Sequence, residues 1–279
     1  MNTDKTSTTP SQNSNLIDVG EHRLAIYCMG TGSPTVILDA GMGDASDIWQ
    51  QVQFDVAQFT HVCSYDRAGR GQSDPGPLPR TSQTMVAELH TLLTNASISG
   101  PYILVGHSFG GYSALLYASQ HPDDVAGIIL VDSALPDLDM IALLPSESSD
   151  EPIGLHEGRE MLIQEKMQNP EGIDFIISDA QVRSVTSLKD IPLVVLTRDS
   201  DSWIHMLMKL FPGFPYEVAV TLEQAWQKHQ RNLLRLSSQS KQVFAPKSGH
   251  YIHTDEPDLV VSAIRDIVEM ARQKPSLLP

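Results

Sequence analysis

Residues 102–111 of this 279-residue chain have the sequence Tyr-Ile-Leu-Val-Gly-His-Ser-Phe-Gly-Gly. The apolar residues at its start predict a buried strand, and small residues recur behind it at helical spacing, at Ser113, Ala114 and Ala118. The turn between them, Gly-His-Ser-Phe-Gly, matches the nucleophile elbow G-x-S-x-G. Glycine is needed at 106 and 110 because a Cβ atom there would collide with the adjoining strand or helix. The stretch therefore predicts a serine, Ser108, presented on a tight strand-to-helix turn.

A serine at such a corner is suited to nucleophilic chemistry. The helix that follows points backbone N–H groups and the positive end of its dipole at any oxyanion formed there. A hydroxyl is a poor nucleophile at neutral pH, so it needs a base within hydrogen-bond reach. In open α/β sheets the reactive groups gather at the carboxyl ends of the strands. The base is therefore expected in a loop that directly follows a strand.

Strand and helix patterns alternate along nearly the whole chain. This order predicts an α/β fold, in which a mainly parallel, twisted sheet of about eight strands is flanked by helices on both faces. Besides the strand of the elbow, strands are predicted at 23–29, 35–40, 61–65, 127–131, 192–197 and 242–245. Helices are predicted at 46–58 with Ser46 as its cap, at 81–95, at 218–236 and from Pro257 onward.

The segment between two of these strands differs in character. Residues 133–190 contain acidic and Ser-rich patches, no strand-like run and one helix pattern, at 155–168. A structureless loop of this length is uncommon in a compact domain, so we expect an inserted helical cap. The predicted organisation is a disordered tail at 1–14, a core formed by 15–132 and 191–279, and a cap at 133–190.

The composition limits the partners. There are 19 Lys and Arg against 34 Asp and Glu, a formal net charge of −15, which disfavours nucleic acid and anionic membrane surfaces. No apolar run approaches the roughly 18 residues of a membrane span, so no membrane insertion is expected. The polar residues 1–14 do not resemble a signal peptide, which favours the cytoplasm.

The two cysteines, Cys28 and Cys63, each lie in an apolar run that is predicted to be a strand. Both are expected to be buried and reduced, and a disulfide is possible if the two strands are neighbours. No group of His, Cys, Asp and Glu has the spacing of metal ligands, and the Gly-rich turns do not match a nucleotide-binding fingerprint. We therefore expect neither a metal nor a cofactor.

Two of the ten histidines lie just past a predicted strand, in the polar turn 247–253. His250 follows Gly249, which would let the chain bend toward the elbow, and His250 is therefore preferred as the base. His253 is expected to be a cap or surface residue.

Three blocks of sequence occur in a characteristic order: G-H-S-F-G-G at the elbow, D-R-A-G-R-G-Q-S at 66–73 and S-G-H-Y-I-H-T-D-E-P at 248–257. In these blocks the chain resembles the α/β-hydrolase superfamily, over roughly residues 24–270 with the cap excepted. The resemblance implies Ser108 as nucleophile and His250 as base, with an acid between them in the chain.

The acid has three candidates. In most of the superfamily it follows the strand after the cap, where this chain offers Asp199 and Asp201, with Arg198 in place of a usual glycine. In a minority it ends the strand before the cap, a position held here by Asp132. Asp132 is preferred because it directly terminates an apolar strand next to the elbow unit. Asp201 and Asp199 remain alternatives.

The oxyanion hole is expected from the backbone N–H groups of Phe109, which follows the nucleophile, and of Met42, in the loop after an earlier strand. Ala40 stands where the superfamily usually has histidine. Because the donor is a backbone N–H, the change need not affect the hole. Asp66 and Arg67 are expected to brace loops and to take no part in chemistry.

These features favour a cofactor-free serine hydrolase that cleaves a small, largely apolar carboxylic ester through an acyl-enzyme. Lactone, amide, thioester or carbon–carbon bond cleavage by the same residues, acyl transfer to an alcohol or amine, and a ligand-binding protein with little or no turnover are the alternatives. An apolar substrate cleft is expected from methionines and aromatic residues in and after the cap. This group comprises Met140, Met161, Trp203, Met206, Met208, Phe211 and Phe214.

Overall fold

The computed structural model describes residues 15–134, 136, 138–167 and 169–273, and the tail predicted at 1–14 lies outside them. The strands are β1 Asn15–Asp18, β2 Arg23–Met29, β3 Thr35–Asp39, β4 Val62–Tyr65, β5 Tyr102–His107, β6 Val125–Val131, β7 Leu193–Arg198 and β8 Ser240–Ala245. The α-helices are α1 Gln50–Val56, α2 Ser82–Asn95, α3 Gly110–Gln120, α4 Ile153–Met167, α5 Phe175–Arg183, α6 Ser200–Leu210, α7 Tyr216–Leu233, α8 Ile252–Asp255 and α9 Pro257–Gln273.

The described strands form a single eight-stranded sheet in the order β1-β2-β4-β3-β5-β6-β7-β8. The pairs β1–β2 and β2–β4 are antiparallel, and every other pair is parallel. The predicted mainly parallel sheet is therefore confirmed. Because β3 and β5 to β8 are parallel, the segments after them emerge at one edge of the sheet.

Two apolar layers sandwich the sheet. One layer packs α2 and α3 against one face, with Leu89 and Leu115 among its buried members. The other packs α1 and α9 against the opposite face, with Val52 and Ile264 among its buried members. Helices on both faces, as predicted, explain why β3, β5 and β7 are buried along their whole length. Within the described ranges, no helix has both the length and the apolar character needed to cross a membrane.

Several local predictions were wrong. The segment β1 was not predicted because it is a short edge strand in which three of four residues are exposed. The predicted helix at 46–58 begins as a 3-10 helix, Ser46–Trp49, before α1. Ser46 does not cap it with its side chain; its backbone N–H donates to Asp66 Oδ1 at 2.8 Å. Neither α5 nor α6 was predicted, and both are capped by an aspartate, Asp174 and Asp199.

The segment between β6 and β7, residues 133–190, contains α4 and α5. The predicted helix at 155–168 corresponds to α4, and residue 168 lies outside the described residues. Leu144 and Leu155 of this segment pack against Leu207 of α6 and Leu222 of α7 in a separate apolar cluster. The β6–β7 segment therefore packs on the helices that follow β7.

The expectation that both cysteines are reduced was wrong, and the disulfide that the sequence left open for neighbouring strands is formed. Cys28 and Cys63 are directly opposite each other on the antiparallel strands β2 and β4, and their sulfurs form a disulfide. Cys28 is exposed, whereas Cys63 is fully buried. Disulfides persist in oxidising compartments, so this bond argues against the cytoplasmic location expected from the sequence.

The disulfide closes a loop between positions 35 residues apart. Cys28→Ser should lower the free energy of unfolding by about 3–4 kcal/mol, because the unfolded chain regains the entropy that the loop removes. Chemical denaturation without reductant measures this loss. Thiol titration of the unreduced, denatured wild-type protein should find no free thiol, and two free thiols would contradict the bond.

Candidate active site

The elbow predicted around Ser108 is present between β5 and α3. Ser108 has a φ of 49°, in the left-handed region that a non-glycine residue rarely adopts. A Cβ atom on Gly106 would lie 2.5 Å from the Gly110 carbonyl oxygen, and one on Gly110 would lie 2.6 Å from the Asp39 carbonyl oxygen. The glycines on both sides of the serine therefore allow the close approach of β5, α3 and the end of β3, as predicted.

Asp132 follows β6 as Ser108 follows β5. The two strands are in register, with His107 opposite Val131, so the two residues leave the sheet at the same level. The Asp132 carboxylate is fully buried, and its Oδ2 accepts a hydrogen bond of 2.6 Å from His250 Nδ1. The structure thus brings the preferred acid and the preferred base together, although they are 118 residues apart in the chain.

The alternative acids have other contacts. Asp199 is the N-cap of α6, where its Oδ2 accepts the backbone N–H of Ser202 at 2.8 Å. Asp201 is an exposed residue in the first turn of the same helix, and its backbone carbonyl accepts from the His205 ring. Neither carboxylate bonds to His250.

The position of His250 is also fixed from the elbow side. His107 Nε2 donates to the His250 backbone carbonyl at 3.0 Å, and the centroids of the two rings are 4.6 Å apart. Among the hydrogen bonds of the described residues, none joins the Ser108 hydroxyl to the His250 ring. In free enzymes such catalytic contacts are often long and tighten only when substrate binds.

Asp132 is surrounded by further donors. Trp226 Nε1 donates to its Oδ1 at 2.8 Å, and Arg198 donates to Oδ2 through Nη1 at 3.2 Å. Burial raises the pKa of the Asp132 carboxyl, but the charge of Arg198 and the hydrogen bonds from His250 and Trp226 outweigh this, so the pKa is lowered overall. The carboxylate is therefore held in its ionised form.

Both expected oxyanion donors have free backbone N–H groups. Neither Met42 nor Phe109 donates its backbone N–H in a hydrogen bond within the described residues. Phe109 lies at the start of α3, and Met42 lies in the loop after β3. Two donors beside an elbow serine could stabilise an oxyanion.

The loop that carries Met42 is clamped by Arg67. This buried guanidinium donates to the carbonyl oxygens of Ala40 and Gly41, each at 2.6 Å, and pairs with Glu171 and Asp39. Glu171, from the β6–β7 segment, also accepts the Gly43 N–H at 2.8 Å. Arg67 thus braces a loop, as predicted.

Asp66 also braces loops, as predicted. Its carboxylate accepts from the backbone N–H groups of Ser46 and Gln72, at 2.8 and 2.9 Å, and from the Tyr27 hydroxyl at 3.0 Å.

His253 is not the cap or surface residue that was expected. It is 1% exposed, and its ring lies 4.4 Å from Trp49 and 4.5 Å from His107, measured between centroids. Neither of its ring nitrogens has a hydrogen-bond partner. Burial, with a smaller contribution from His250, lowers the pKa of His253 to about 3, and burial likewise lowers that of His107. Both rings are therefore uncharged at neutral pH.

Sequence reasoning did not identify Arg198, Glu223, Trp226 and Glu171 as part of this region. Two of them carried a detectable signal. Arg198 ends a buried strand that has no other charged residue, and Glu223 shares a helix face with Trp226 through its i, i+3 spacing. Arg198 and Glu223 bond to each other and Arg198 bonds to Asp132, but these residues lie far apart in the chain, so the role of Arg198 and Glu223 could not be inferred.

Among the residues that the structure describes, two groups of potential metal ligands come together that sequence spacing did not indicate. One contains Cys28, His61 and Cys63, but its two sulfurs are bonded to each other. The other contains Glu147, Glu151 and His156, and in it Glu151 already pairs with both Arg159 and His156. Neither group touches the elbow.

An open cavity of about 860 Å³ lies beside Met42 and the helix α4. Its lining mixes apolar and charged side chains: Met42, His156, Glu157, Glu160, Met161, Gln164 and Pro170. Of the residues expected to form an apolar cleft, Met161 lines this cavity. Met140, Trp203, Phe211 and Phe214 instead pack in the cluster of α4, α6 and α7, and Met206 and Met208 are exposed.

Comparison with known proteins identifies the family of the chain. Residues 36–263 match the model of the alpha/beta hydrolase family. The chain belongs to the alpha/beta hydrolase family. The uncharacterised protein YqjL of Bacillus subtilis (strain 168) is 30% identical over 238 residues, which cover 85% of each chain.

Solved structures share the fold of this alpha/beta hydrolase at lower identity. A thermophilic esterase from Thermogutta terrifontis is 23% identical with a TM-score of 0.63, over 93% of this chain and 99% of that one. A haloalkane dehalogenase variant from Bradyrhizobium elkanii is 15% identical with a TM-score of 0.66, over 94% and 97%. Two different chemistries on one fold mean that the reaction must be argued from the site. Family membership supports a hydrolase.

The buried, uncharged His253 makes the stability of this alpha/beta hydrolase depend on pH. Below about pH 6.5, the ordinary pKa of histidine, the unfolded chain binds a proton at this residue and the folded chain does not until about pH 3. The free energy of unfolding should therefore fall on acidification, by about 1.4 kcal/mol per pH unit for each such histidine. Between pH 6 and 4.5, His253→Phe should reduce the slope of the free energy of unfolding against pH by about 1.4 kcal/mol per pH unit.

Chemical denaturation across that pH range measures the slope. The exposed His205 provides the control, and His205→Gln should leave the slope unchanged. Equal slopes for wild type and His253→Phe would contradict the prediction.

Proposed function

We propose that this alpha/beta hydrolase is a serine hydrolase that cleaves a small carboxylic ester through an acyl-enzyme. The observation that carries the proposal is the 2.6 Å hydrogen bond from His250 to the buried Asp132, with the same histidine held beside the elbow by His107. An imidazole that is oriented by a carboxylate and lies beside a half-buried serine with a strained backbone is the arrangement that activates a hydroxyl nucleophile.

In the first step, His250 Nε2 takes the proton of Ser108 while Oγ forms a bond to the ester carbonyl carbon. The oxyanion accepts hydrogen bonds from the backbone N–H groups of Met42 and Phe109. Asp132 holds His250 in the tautomer with a proton on Nδ1 and stabilises the imidazolium. Collapse of the tetrahedral intermediate breaks the bond to the alcohol, which leaves with the proton from His250.

In the second step, water attacks the acyl group on Ser108 and gives its proton to His250. Collapse of the second intermediate releases the carboxylic acid and returns the proton to Ser108. Every proton moves between His250, Ser108, water and the leaving alcohol.

We infer that residues 133–190 act as the cap and help to define the substrate. The support is the cavity beside Met42, which α4 lines from one side. A cavity of about 860 Å³ suits a small substrate. Its glutamates, Glu157 and Glu160, favour an ester that is less apolar than the sequence suggested. A panel of p-nitrophenyl esters, lactones and anilides would separate ester cleavage from the other reactions that the same residues support.

Ser108→Ala should abolish turnover of p-nitrophenyl acetate, because it removes the only proposed nucleophile. Ser113→Ala is the matched control: Ser113 lies on α3 near the elbow, is buried, and has a hydroxyl without a hydrogen-bond partner. This control should retain wild-type activity. A fluorophosphonate probe should label wild type and Ser113→Ala, and should not label Ser108→Ala.

Ester turnover that survives in Ser108→Ala would exclude the serine mechanism. Folded wild-type protein that neither hydrolyses the panel nor takes up the probe would instead favour a ligand-binding protein.

Asp132→Asn should reduce kcat by about 10⁴-fold, the scale known for the acid of a serine triad, because the amide disfavours the required tautomer of His250. Asp199→Asn and Asp201→Asn are the comparisons, and each should change kcat less than tenfold. Asparagine is also a good helix N-cap, so Asp199→Asn should keep α6 intact. A large loss in either comparison, with a small loss in Asp132→Asn, would reassign the acid.

A further inference from the structure

The buried acid Asp132 belongs to a chain of three charges. Arg198 donates to Asp132 Oδ2 through Nη1 at 3.2 Å, and its backbone N–H donates to Oδ1 at 3.3 Å. The same guanidinium donates to Glu223 Oε2 through Nη2 at 2.6 Å and Nε at 3.2 Å. All three side chains are at most 3% exposed. One buried cation therefore bridges two buried carboxylates.

The guanidinium is fixed in this place. Its Cζ atom lies over two indole rings, 4.6 Å from the centroid of Trp203 and 4.5 Å from that of Trp226. Trp226 also donates to Asp132, and Gln227 Nε2 donates to the far oxygen of Glu223 at 2.7 Å. With two indole rings against its guanidinium and hydrogen bonds to two carboxylates, Arg198 cannot swing away from Asp132 without losing several contacts.

The net charge of these three side chains bears on the protonation of His250. Asp132, Arg198 and Glu223 together carry a charge of −1, and the imidazolium that forms at His250 during the reaction brings the group to zero. Without Glu223, the resting group would be neutral and the reacting group would carry +1. In a dry interior such a charge acts over several ångströms with little screening.

We propose that Arg198 and Glu223 are a matched pair of positioning residues: Arg198 aligns Asp132, and Glu223 cancels the positive charge of Arg198 that would otherwise oppose the imidazolium at His250. The proposal rests on the proposed function, in which His250 is the base. It explains why a cation can be placed directly on the acid without weakening the attraction of that acid for a protonated histidine.

Other groups near His250 are the same in every variant that the test compares. His107 and His253 are buried rings whose pKa values are lowered by burial. Tyr251 is the neighbour in the chain, with its ring 5.6 Å from that of His250, and Asp44 interacts with His250 electrostatically. The hydrogen bonds described for Arg198 and Glu223 do not involve His107, His253 or Asp44, so changes in the pair leave these three residues in place.

The test compares Glu223→Gln, Arg198→Met and the double variant Arg198→Met/Glu223→Gln in the full chain. The readout is the pH dependence of kcat/KM for p-nitrophenyl acetate. Glu223→Gln makes the group more positive, so the midpoint of the acidic limb should move to lower pH, by about one unit, and kcat should fall about tenfold. Arg198→Met makes the group more negative and should move the midpoint to higher pH.

The double variant restores the charge of −1 and should return the midpoint to within about 0.3 units of wild type, with kcat still reduced because Asp132 has lost its alignment. Arg198→Lys keeps the charge but loses the forked geometry, so it should lower kcat without moving the midpoint. A purely structural role for the pair would not move the midpoint in opposite directions.

Glu88→Gln is the matched control, because Glu88 on α2 forms a buried pair with Arg80, which precedes that helix. It should leave the midpoint unchanged. If Arg198→Met does not fold, Glu223→Gln and Arg198→Lys still decide the question. Midpoints that move in the same direction in both charge variants, or that do not move, would overturn the proposal.

Failure of the proposal can be told apart from failure of the proposed function. Wild-type protein that hydrolyses no ester would contradict the function. In that case NMR titration of the His250 ring in wild type and the same variants still measures whether the pair controls its protonation. Opposite shifts of the ring's midpoint support the pair, and equal midpoints overturn it.

Discussion

A buried carboxylate at the end of β6 is the group on which the arrangement of the site depends. Moving an unpaired carboxylate out of water costs several kcal/mol, so Asp132 can exist only where donors surround it. Those donors come from β7, from α7 and from the loop after β8, through Arg198, Trp226 and His250. The need to satisfy one anion therefore draws three distant segments to the same edge of the sheet.

A second buried ion group does the same for the loop that carries Met42. Arg67 follows β4, and its guanidinium joins Asp39 at the end of β3 to Glu171 from the β6–β7 segment. Because Arg67 and Glu171 also bind the backbone of the loop around Met42, this loop is held by charged hydrogen bonds and not by packing alone. The two ion groups thus fix the groups proposed to bind the oxyanion and to orient the base.

The sequence predicts the parts of this structure that depend on local pattern. The apolar strands, the elbow glycines at 106 and 110 and the helix predicted at 81–95 follow from local pattern or turn sterics, and the structure contains them. The parts that depend on which strands are neighbours could not be predicted. Cys28 and Cys63 were expected to be reduced because nothing local indicates that β2 pairs with β4. His253 was expected at the surface because its polar turn gave no sign that Trp49 and His107 would enclose it.

The choice among the three aspartates shows the same division between local and long-range information. Local pattern could only note that Asp132 ends an apolar strand and that Asp199 and Asp201 follow one. In the folded chain Arg198 fills the buried position at the end of β7 and turns its guanidinium back toward Asp132, while Asp199 is used as the cap of α6. A catalytic acid at the end of β7 would have to lie beside Arg198, whose buried guanidinium already pairs with Asp132 and Glu223. Arg198, which replaces the usual glycine before this turn, is therefore the physical reason that Asp199 and Asp201 do not bond to His250. It is also the reason that Asp132 does.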